Sequence, residues 1–248
     1  MKMIGDLHIH SRFSMATSKE GTPENMDFWA RKKGISLIGT GDFTHPVWRE
    51  ELRERLKPEG NGLYRLRDEY VREESRKFPG EGTRFVVSGE ISSIYKKNGK
   101  TRKVHNVILL PSLEAADAMA QRLEKIGNIH SDGRPILGLD SHDLLEMMLD
   151  VCPEGILIPA HIWTPHFSVL GAKSGFDSVE ECFEELTPYV HALETGLSSD
   201  PAMNWRISKL DCYQLVSNSD AHSPSKLGRE ANLLDIDCSY EGLYQAIQ

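Results

Sequence analysis

The sequence lacks the long apolar run that a membrane-spanning helix requires. No stretch of its 248 residues approaches about 18 consecutive apolar side chains. Its first residues, M-K-M-I-G-D, reach an acidic side chain too early for a secretory signal peptide. We therefore expect a cytoplasmic protein without a membrane partner.

Cysteine is scarce, and no two cysteines are closely spaced. The sequence has four of them and no C-x-x-C pair, which excludes a zinc ribbon and a thioredoxin motif. No glycine fingerprint of a dinucleotide-binding fold follows the first apolar run. We expect the cysteines to be reduced and mostly buried.

Positive charge is also in deficit. There are 29 Lys and Arg against 37 Asp and Glu, a formal net charge of -8. This balance excludes a protein that binds nucleic acid through a uniformly basic surface. A polyanionic substrate would therefore need a local source of attraction.

Seven short apolar runs, several of them separated by stretches of helical spacing, indicate alternating strands and helices. The runs are residues 3–9, 35–38, 84–87, 104–110, 155–158, 190–193 and 214–216. Helices are predicted over residues 23–33, 113–126 and 179–186, and the charge-dense stretch around 48–80 predicts solvated helices inserted after the second strand. The pattern favours an α/β fold with a closed or nearly closed β/α barrel.

Histidines and acids follow these runs, where such a barrel carries its functional groups. His8 and His10 are two apart on a strand and point to the same face, so both imidazoles can reach one metal ion. Further donors at strand ends are Asp42, Glu90, His105, His161, Glu194, Asp220 and His222. These are more nitrogen and oxygen donors than one ion uses, which favours two or three divalent ions bridged by a carboxylate.

The order of the motifs resembles the polymerase and histidinol phosphatase (PHP) family of metal-dependent phosphoesterases. The motifs are D-L-H-I-H-S, T-G-D, G-E-I, V-H-N-V-I-L-L, A-H and S-D-A-H, from Asp6 to His222. The resemblance implies a distorted seven-stranded β/α barrel, similar to a TIM barrel, as a single PHP domain over residues 1–248. It also implies a three-metal site at the carboxyl ends of the strands.

The resemblance further implies which residues hold each ion. The first ion would be held by His8, His10, Asp220 and Glu90, the second by Glu90, His105 and His161, and the third by Asp42 and His222. Met15 departs from the family, which commonly has an acid or histidine there, so the third site would be weak or completed by water. Zinc, manganese or iron are the expected ions, with magnesium a further candidate for activity.

Longer blocks resemble the catalytic core of the endonuclease Q family. They are H-S-R-F-S-M-A-T-S-K, G-T-G-D-F-T-H-P, H-I-W-T-P-H-F-S-V-L-G-A-K-S-G-F and N-S-D-A-H-S-P-S-K-L-G-R-E-A. The resemblance implies a DNA repair endonuclease that cuts 5′ to deoxyinosine, deoxyuridine or an abasic site. Damaged DNA would be its substrate and repair or replication proteins its candidate partners. The C-terminal zinc module of that family is not expected in these 248 residues.

The expected reaction is in-line attack on a phosphodiester by a hydroxide. This hydroxide would bridge the metal ions and be held at Glu90, Asp220, His8 and His10. Substrate contacts are predicted for the basic turn between Glu90 and His105, for rings that could stack on a base and for cations after the D-x-H pair. The basic turn contributes Lys96, Lys97, Lys100, Arg102 and Lys103. The rings are Trp163, His166 and Phe167, and the cations after the D-x-H pair are Lys226 and Arg229. A solvated loop, core packing and a capped surface helix stay open as the respective alternatives.

Two other functions remain open from the sequence. The first is a phosphatase of the histidinol phosphatase type, whose small substrate would suit the acidic surface and would not need the basic turn. The second is a catalytically silent, structural PHP domain. The intact ligand positions argue against the silent domain.

Overall fold

The computed structural model describes residues 2–248 and contains eleven strands and seven α-helices within them. The strands are β1 (Lys2–Asp6), β2 (Leu37–Gly39), β3 (Leu56–Pro58), β4 (Tyr64–Leu66), β5 (Arg84–Lys97), β6 (Lys100–Leu110), β7 (Ile136–Leu137), β8 (Ile156–Pro159), β9 (Ala192–Thr195), β10 (Gln214–Ser217) and β11 (Asn232–Asp235). The helices are α1 (Pro23–Lys33), α2 (Pro46–Arg55), α3 (Leu113–Glu124), α4 (Ser141–Val151), α5 (Val179–Phe183), α6 (Pro201–Asn204) and α7 (Tyr240–Ile247). None of the helices in residues 2–248 has the length and apolarity needed to cross a membrane.

The α/β class is confirmed, but the sheet is mixed rather than parallel throughout. Strands β1, β2 and β5 are parallel neighbours, whereas β5–β6 and β6–β8 are antiparallel. The parallel pair β9–β10 forms a second sheet. Ile162 N donates to Glu194 O just after β8, and Ile9 after β1 forms a bridge with Ala221 after β10. These contacts place the β9–β10 pair between the ends of β8 and β1, and closure into a seven-stranded barrel stays a prediction.

All seven predicted strands are present, but the third is much longer than its apolar run. Residues 84–87 begin β5, which continues to Lys97 and pairs with β6 as far as Lys100. Asn98 and Gly99 form the turn between them, both with positive φ (53° and 72°), as a tight hairpin turn requires. Glu90 therefore lies inside a strand, paired with Val107 of β6, and not in a loop.

Residues 48–80 differ from their prediction as solvated helices. Only α2 is α-helical there, and its Trp48 is fully buried. Strands β3 and β4 form a hairpin that joins β5, followed by a 3-10 helix at Glu73–Lys77. Tyr64 and Leu66 are buried on one side of β4, a two-residue alternation too short to recognise among the surrounding charges.

Local sequence signals set the boundaries of α1, whereas the helix predicted over residues 179–186 ends at Phe183 and is followed by a 3-10 helix at Glu184–Tyr189. Thr22 caps α1 by accepting from Asn25 N, Pro23 occupies the first turn, and Gly34 ends the helix in the left-handed region (φ 73°). Met26 and Ala30 are buried against the sheet's hydrophobic core. The helix thus covers exactly the predicted residues 23–33.

Candidate metal centre

The histidines and acids predicted as metal ligands converge from separate strands. Two of the three groups in residues 2–248 whose members each offer a ligand atom within 4.8 Å of the others consist of these predicted residues; the third is His142, Glu184 and Glu185. The first group is His8, His10, Glu90 and Asp220, and the second is Glu90, His105 and His161. The structure therefore brings together both ligand sets that the resemblance implied for the first two ions.

Glu90 lies at the centre of both groups. Its Oε1 is 2.8 Å from His105 Nδ1, 3.2 Å from His161 Nε2 and 3.6 Å from His8 Nε2. Its Oε2 is 3.4 Å from His10 Nε2. Because one carboxylate has two oxygens, Glu90 can serve one ion on each side, as the sequence predicted for a bridging ligand.

A second layer of carboxylates orients the two histidines of the H-x-H motif. His8 Nδ1 lies 3.0 Å from both carboxylate oxygens of Glu194, and His10 Nδ1 lies 3.1 Å from Asp42 Oδ1. A carboxylate on one ring nitrogen fixes the tautomer and turns the other nitrogen toward the ion. Both Nε2 atoms consequently face Glu90 and Asp220.

The charges of the site support one another. Burial lowers the pKa of His8, but Glu194 and Glu90 outweigh burial and raise that pKa well above its usual value. Burial also lowers the pKa of His10, but the carboxylates of Asp220, Asp42 and Glu90 outweigh burial and raise that pKa well above its usual value. Burial raises the pKa of Asp220, yet the histidines lower it to about 2 overall. Asp220 is thus held ionised, the form that binds a cation.

The donor set fits divalent cations. Among the residues described, His8 Nε2 and His105 Nδ1 are buried and have no hydrogen-bond partner of good geometry. Buried polar nitrogens without a partner are costly, and both point into a group of carboxylate oxygens. Imidazole nitrogen with carboxylate oxygen is a ligand set suited to zinc, manganese or iron.

Three of the eight non-glycine residues with positive φ in residues 2–248 belong to this site. Asp42, His161 and Asp220 have φ values of 51°, 30° and 47°. Non-glycine residues rarely adopt these conformations, which persist where the surrounding structure imposes them, often at functional sites. The strain supports a site built for ligands and not a chance cluster of polar residues.

Asp42 and His222, predicted to hold a third ion, flank His10 without joining either ligand group. Asp42 Oδ2 accepts hydrogen bonds from Ser11 N at 2.8 Å and Ser11 Oγ at 2.6 Å, while Oδ1 faces His10. The ring of His222 is 4.6 Å from that of His10, and its Nδ1 faces Asp220 O at 2.9 Å. The structure thus gives Asp42 an orienting role.

The basic segment lies at the tip of the β5–β6 hairpin, and two of its cations are engaged within the chain. Lys97 forms ion pairs with Asp140 and Glu184, and buried Arg102 pairs with Glu181. The Asn98–Gly99 turn lies five residue pairs beyond the Ser92–His105 pair, roughly 17 Å along the hairpin. Lys96 and Lys100 are exposed there, whereas Lys103 lies closer, with Nζ 5.3 Å from the ring centre of Phe167.

Of the three predicted rings, Phe167 contacts a ligand residue. Phe167 packs on His105, with ring centres 4.7 Å apart, and half-buried Trp163 donates from Nε1 to Asn204 Oδ1. His166 is exposed. Of the two cations after the D-x-H pair, Lys226 is exposed and Arg229 donates to Ser219 O.

Sequence reasoning named Glu194 without giving it a partner, and it missed Arg134. Glu194 ends a predicted strand and was visible as a strand-end acid, but only the fold shows that it contacts His8. Arg134 had no signal at all. Its Nη1 donates to Glu90 Oε2 at 3.2 Å from the segment between α3 and β7.

Replacing Gly133 by alanine is expected to disturb the centre through Asp42. A Cβ at position 133 would lie 2.4 Å from Asp42 Cγ and Oδ2, so the hydrogen-bonded carboxylate or the loop must move. We expect metal affinity to fall by roughly 10-fold or more, as for other orienting partners of metal-bound histidines. Titration with zinc or manganese measures this.

Gly138→Ala is the matched control, because a Cβ there meets no atom within 4 Å. Metal affinity should be unchanged in that variant. A Gly133→Ala protein that binds metal as tightly as the Gly138→Ala protein would contradict the orienting role of Asp42.

Comparison with known proteins identifies relatives of this chain. No protein-family model matches the chain. The uncharacterized protein MJ0043 of Methanocaldococcus jannaschii is 33% identical over 175 residues, covering 70% of this chain and 18% of that protein. The uncharacterized protein YqxK of Bacillus subtilis is 31% identical over 248 aligned positions, covering 94% of this chain and 58% of that protein.

Solved structures give a closer description. A structure described as a candidate metal-dependent phosphoesterase from Bifidobacterium adolescentis shares the fold, with a TM-score of 0.59 at 14% identity, covering 98% of this chain and 94% of that one. The lesion-specific endonuclease PfuEndoQ of Pyrococcus furiosus has a TM-score of 0.83 at 31% identity, over 100% of this chain and 56% of that one. Endonuclease Q bound to a 27-mer duplex with an abasic lesion at its active site gives 0.84, with the same identity and coverage.

The chain shares the fold of a class of structures that includes a candidate metal-dependent phosphoesterase and a lesion-specific endonuclease. Within that class, its resemblance to endonuclease Q, predicted from the motifs, is confirmed over the whole chain. The chain spans little more than half the length of the endonuclease Q chains and of the Bacillus subtilis relative.

Proposed function

We propose that this chain is the catalytic core of a DNA repair endonuclease, which hydrolyses the phosphodiester 5′ to a deaminated or abasic nucleotide. The observation that carries the proposal is the pair of ligand groups sharing Glu90, found in a chain that is similar over its full length to a lesion-specific endonuclease. Deoxyinosine, deoxyuridine and the abasic site are the proposed lesions.

The chain's residues would divide the work as follows. Divalent ions, when bound, supply Lewis-acid chemistry for hydrolysis of a phosphodiester. His8, His10 and Asp220 hold one ion and share Glu90 with His105 and His161. Glu194 and Asp42 keep the imidazoles turned toward the ions. Zinc, manganese or iron suit this histidine-rich set, and a third ion near His222 remains part of the proposal.

An apolar cleft that includes a residue close in sequence to the ligand His161 supports a nucleic-acid substrate over a small phosphomonoester. Trp163, two residues after His161, lines a cleft with Met203, Arg206 and Ile207. Trp205 next to this cleft is 69% exposed. Aromatic and cationic side chains together provide stacking surfaces for unpaired bases, and a small phosphate ester has no use for them.

The function is tested by offering metal-loaded protein two kinds of substrate. We expect nicking of a labelled duplex with one deoxyinosine, deoxyuridine or abasic site, with the cut 5′ to the lesion and undamaged duplex left intact. A His8→Ala variant, which lacks a ligand, should not nick. p-Nitrophenyl phosphate is offered in parallel.

The alternatives give different results. Rapid hydrolysis of p-nitrophenyl phosphate without nicking would make the protein a phosphatase. Full metal content with no hydrolysis of either substrate would make it a structural domain. Because the endonuclease Q chains are longer, the assay is repeated with the chain joined to the C-terminal region of an endonuclease Q.

A further inference from the structure

Arg134 is held over the metal centre by a segment fixed at several points. Asp132 Oδ1 accepts from Met15 N at 3.1 Å and from Arg134 N at 3.0 Å. Gly133 N donates to Phe13 O, and Gly133 O accepts from Thr44 Oγ1, both at 3.0 Å. The residues beside Arg134 are therefore tied to the two loops that carry His8, His10 and Asp42.

The guanidinium of Arg134 uses only part of its hydrogen-bonding capacity within the chain. Nη1 donates to Glu90 Oε2 at 3.2 Å, and the side chain is 24% exposed. Within residues 2–248, Nε and Nη2 of Arg134 have no hydrogen-bond partner. Neither atom is fully buried. Those donors are therefore available to a group that approaches from solvent.

Arg102 shows how this chain uses an arginine for structure. It is 4% exposed, its guanidinium donates to Gly175 O and pairs with Glu181, and it lies over the ring of Phe176. Arg134 has no such set of acceptors. Its one carboxylate is also the group that both ions would share, so bound ions would repel the guanidinium unless an anion lay between them.

We propose that Arg134 binds a non-bridging oxygen of the substrate phosphate beside the ions and so selects a phosphoester over an uncharged ester or amide. This rests on the proposed function, because it assumes a phosphate at the ligand groups. The planar guanidinium presents paired donors that match phosphate oxygens. A single anion then compensates both the ions and Arg134, which resolves the repulsion at Glu90.

The test compares Arg134→Gln and Arg134→Lys with Arg122→Gln, which removes the same charge from an exposed site on α3. Metal content, the affinity of the metal-loaded protein for inorganic phosphate, and KM and kcat for bis(p-nitrophenyl) phosphate are measured. We expect Arg134→Gln to weaken phosphate binding by roughly 10- to 100-fold and to keep its metal. Arg134→Lys should recover part of the affinity, because lysine supplies charge without the planar donors. Arg122→Gln should match the unaltered protein.

Two results would overturn the proposal. If Arg134→Gln binds phosphate as tightly as Arg122→Gln, the guanidinium does not hold the anion. If Arg134→Gln loses its metal, the residue positions Glu90 instead. Failure of the proposed function is separate, because phosphate affinity can depend on Arg134 in a protein that cuts no DNA, and DNA can be nicked equally with and without it.

Discussion

Glu90→Gln is expected to abolish phosphodiester hydrolysis, with a loss of roughly 10³-fold or more. Glutamine keeps the shape of the side chain but removes the charge shared by the two ligand groups. Four imidazoles, those of His8, His10, His105 and His161, lie within 3.6 Å of this carboxylate. Both ions should therefore bind more weakly, whereas Asp220→Asn should weaken mainly the ion of its own group. Metal analysis and the nicking assay measure these effects.

Glu146→Gln, an exposed substitution on α4, controls for the change in net charge and should keep full metal content and activity. Circular dichroism establishes that Glu90→Gln is folded. A folded Glu90→Gln protein with both ions and full activity would contradict the bridging role.

Removal of the ions with a chelator is expected to lower the melting temperature. An ion present at about 100 times its dissociation constant stabilises the folded state by roughly 2.7 kcal/mol. For a chain of this size that corresponds to about 5–10 °C for one ion. The physical reason is the charge of Glu90 and Asp220, which are buried or nearly so beside Asp42 and Glu194. Thermal melts with and without chelator, followed by re-addition of metal, measure the shift.

The chelator effect should grow as the pH rises. The pKa values of His8 and His10 are raised, so their protons stabilise the folded state at low pH and are lost as the pH rises through those values. At low pH protons therefore replace the ions, and at high pH only the ions compensate the carboxylates. Glu90→Gln should show a smaller shift than the unaltered protein. A melting temperature at pH 8 that is the same with and without the chelator would contradict ion binding at this centre.

The sequence was most informative where chemistry and strand position coincide. The H-x-H and D-x-H pairs keep their side chains on one side because they follow strands, and the apolar runs located all seven strands that carry them. Helix α1 was predicted to the residue because Thr22, Pro23 and Gly34 signal its ends locally.

Contacts between distant segments could not be predicted. The two-residue strand β7 is too short for a recognisable alternation, and its pairing is decided by the neighbouring strand. The length of β5 was missed because the residues beyond 87 are polar and are held in the strand by pairing with β6.

The sequence by itself determined the ligand types and the strand ends that carry them, because periodicity and donor chemistry are local properties. Only the tertiary structure decided that Asp42 and Glu194 contact His10 and His8, and that Arg134 reaches Glu90. These are contacts between side chains as many as 186 residues apart in the sequence. Such contacts depend on how the strands pair and the loops pack.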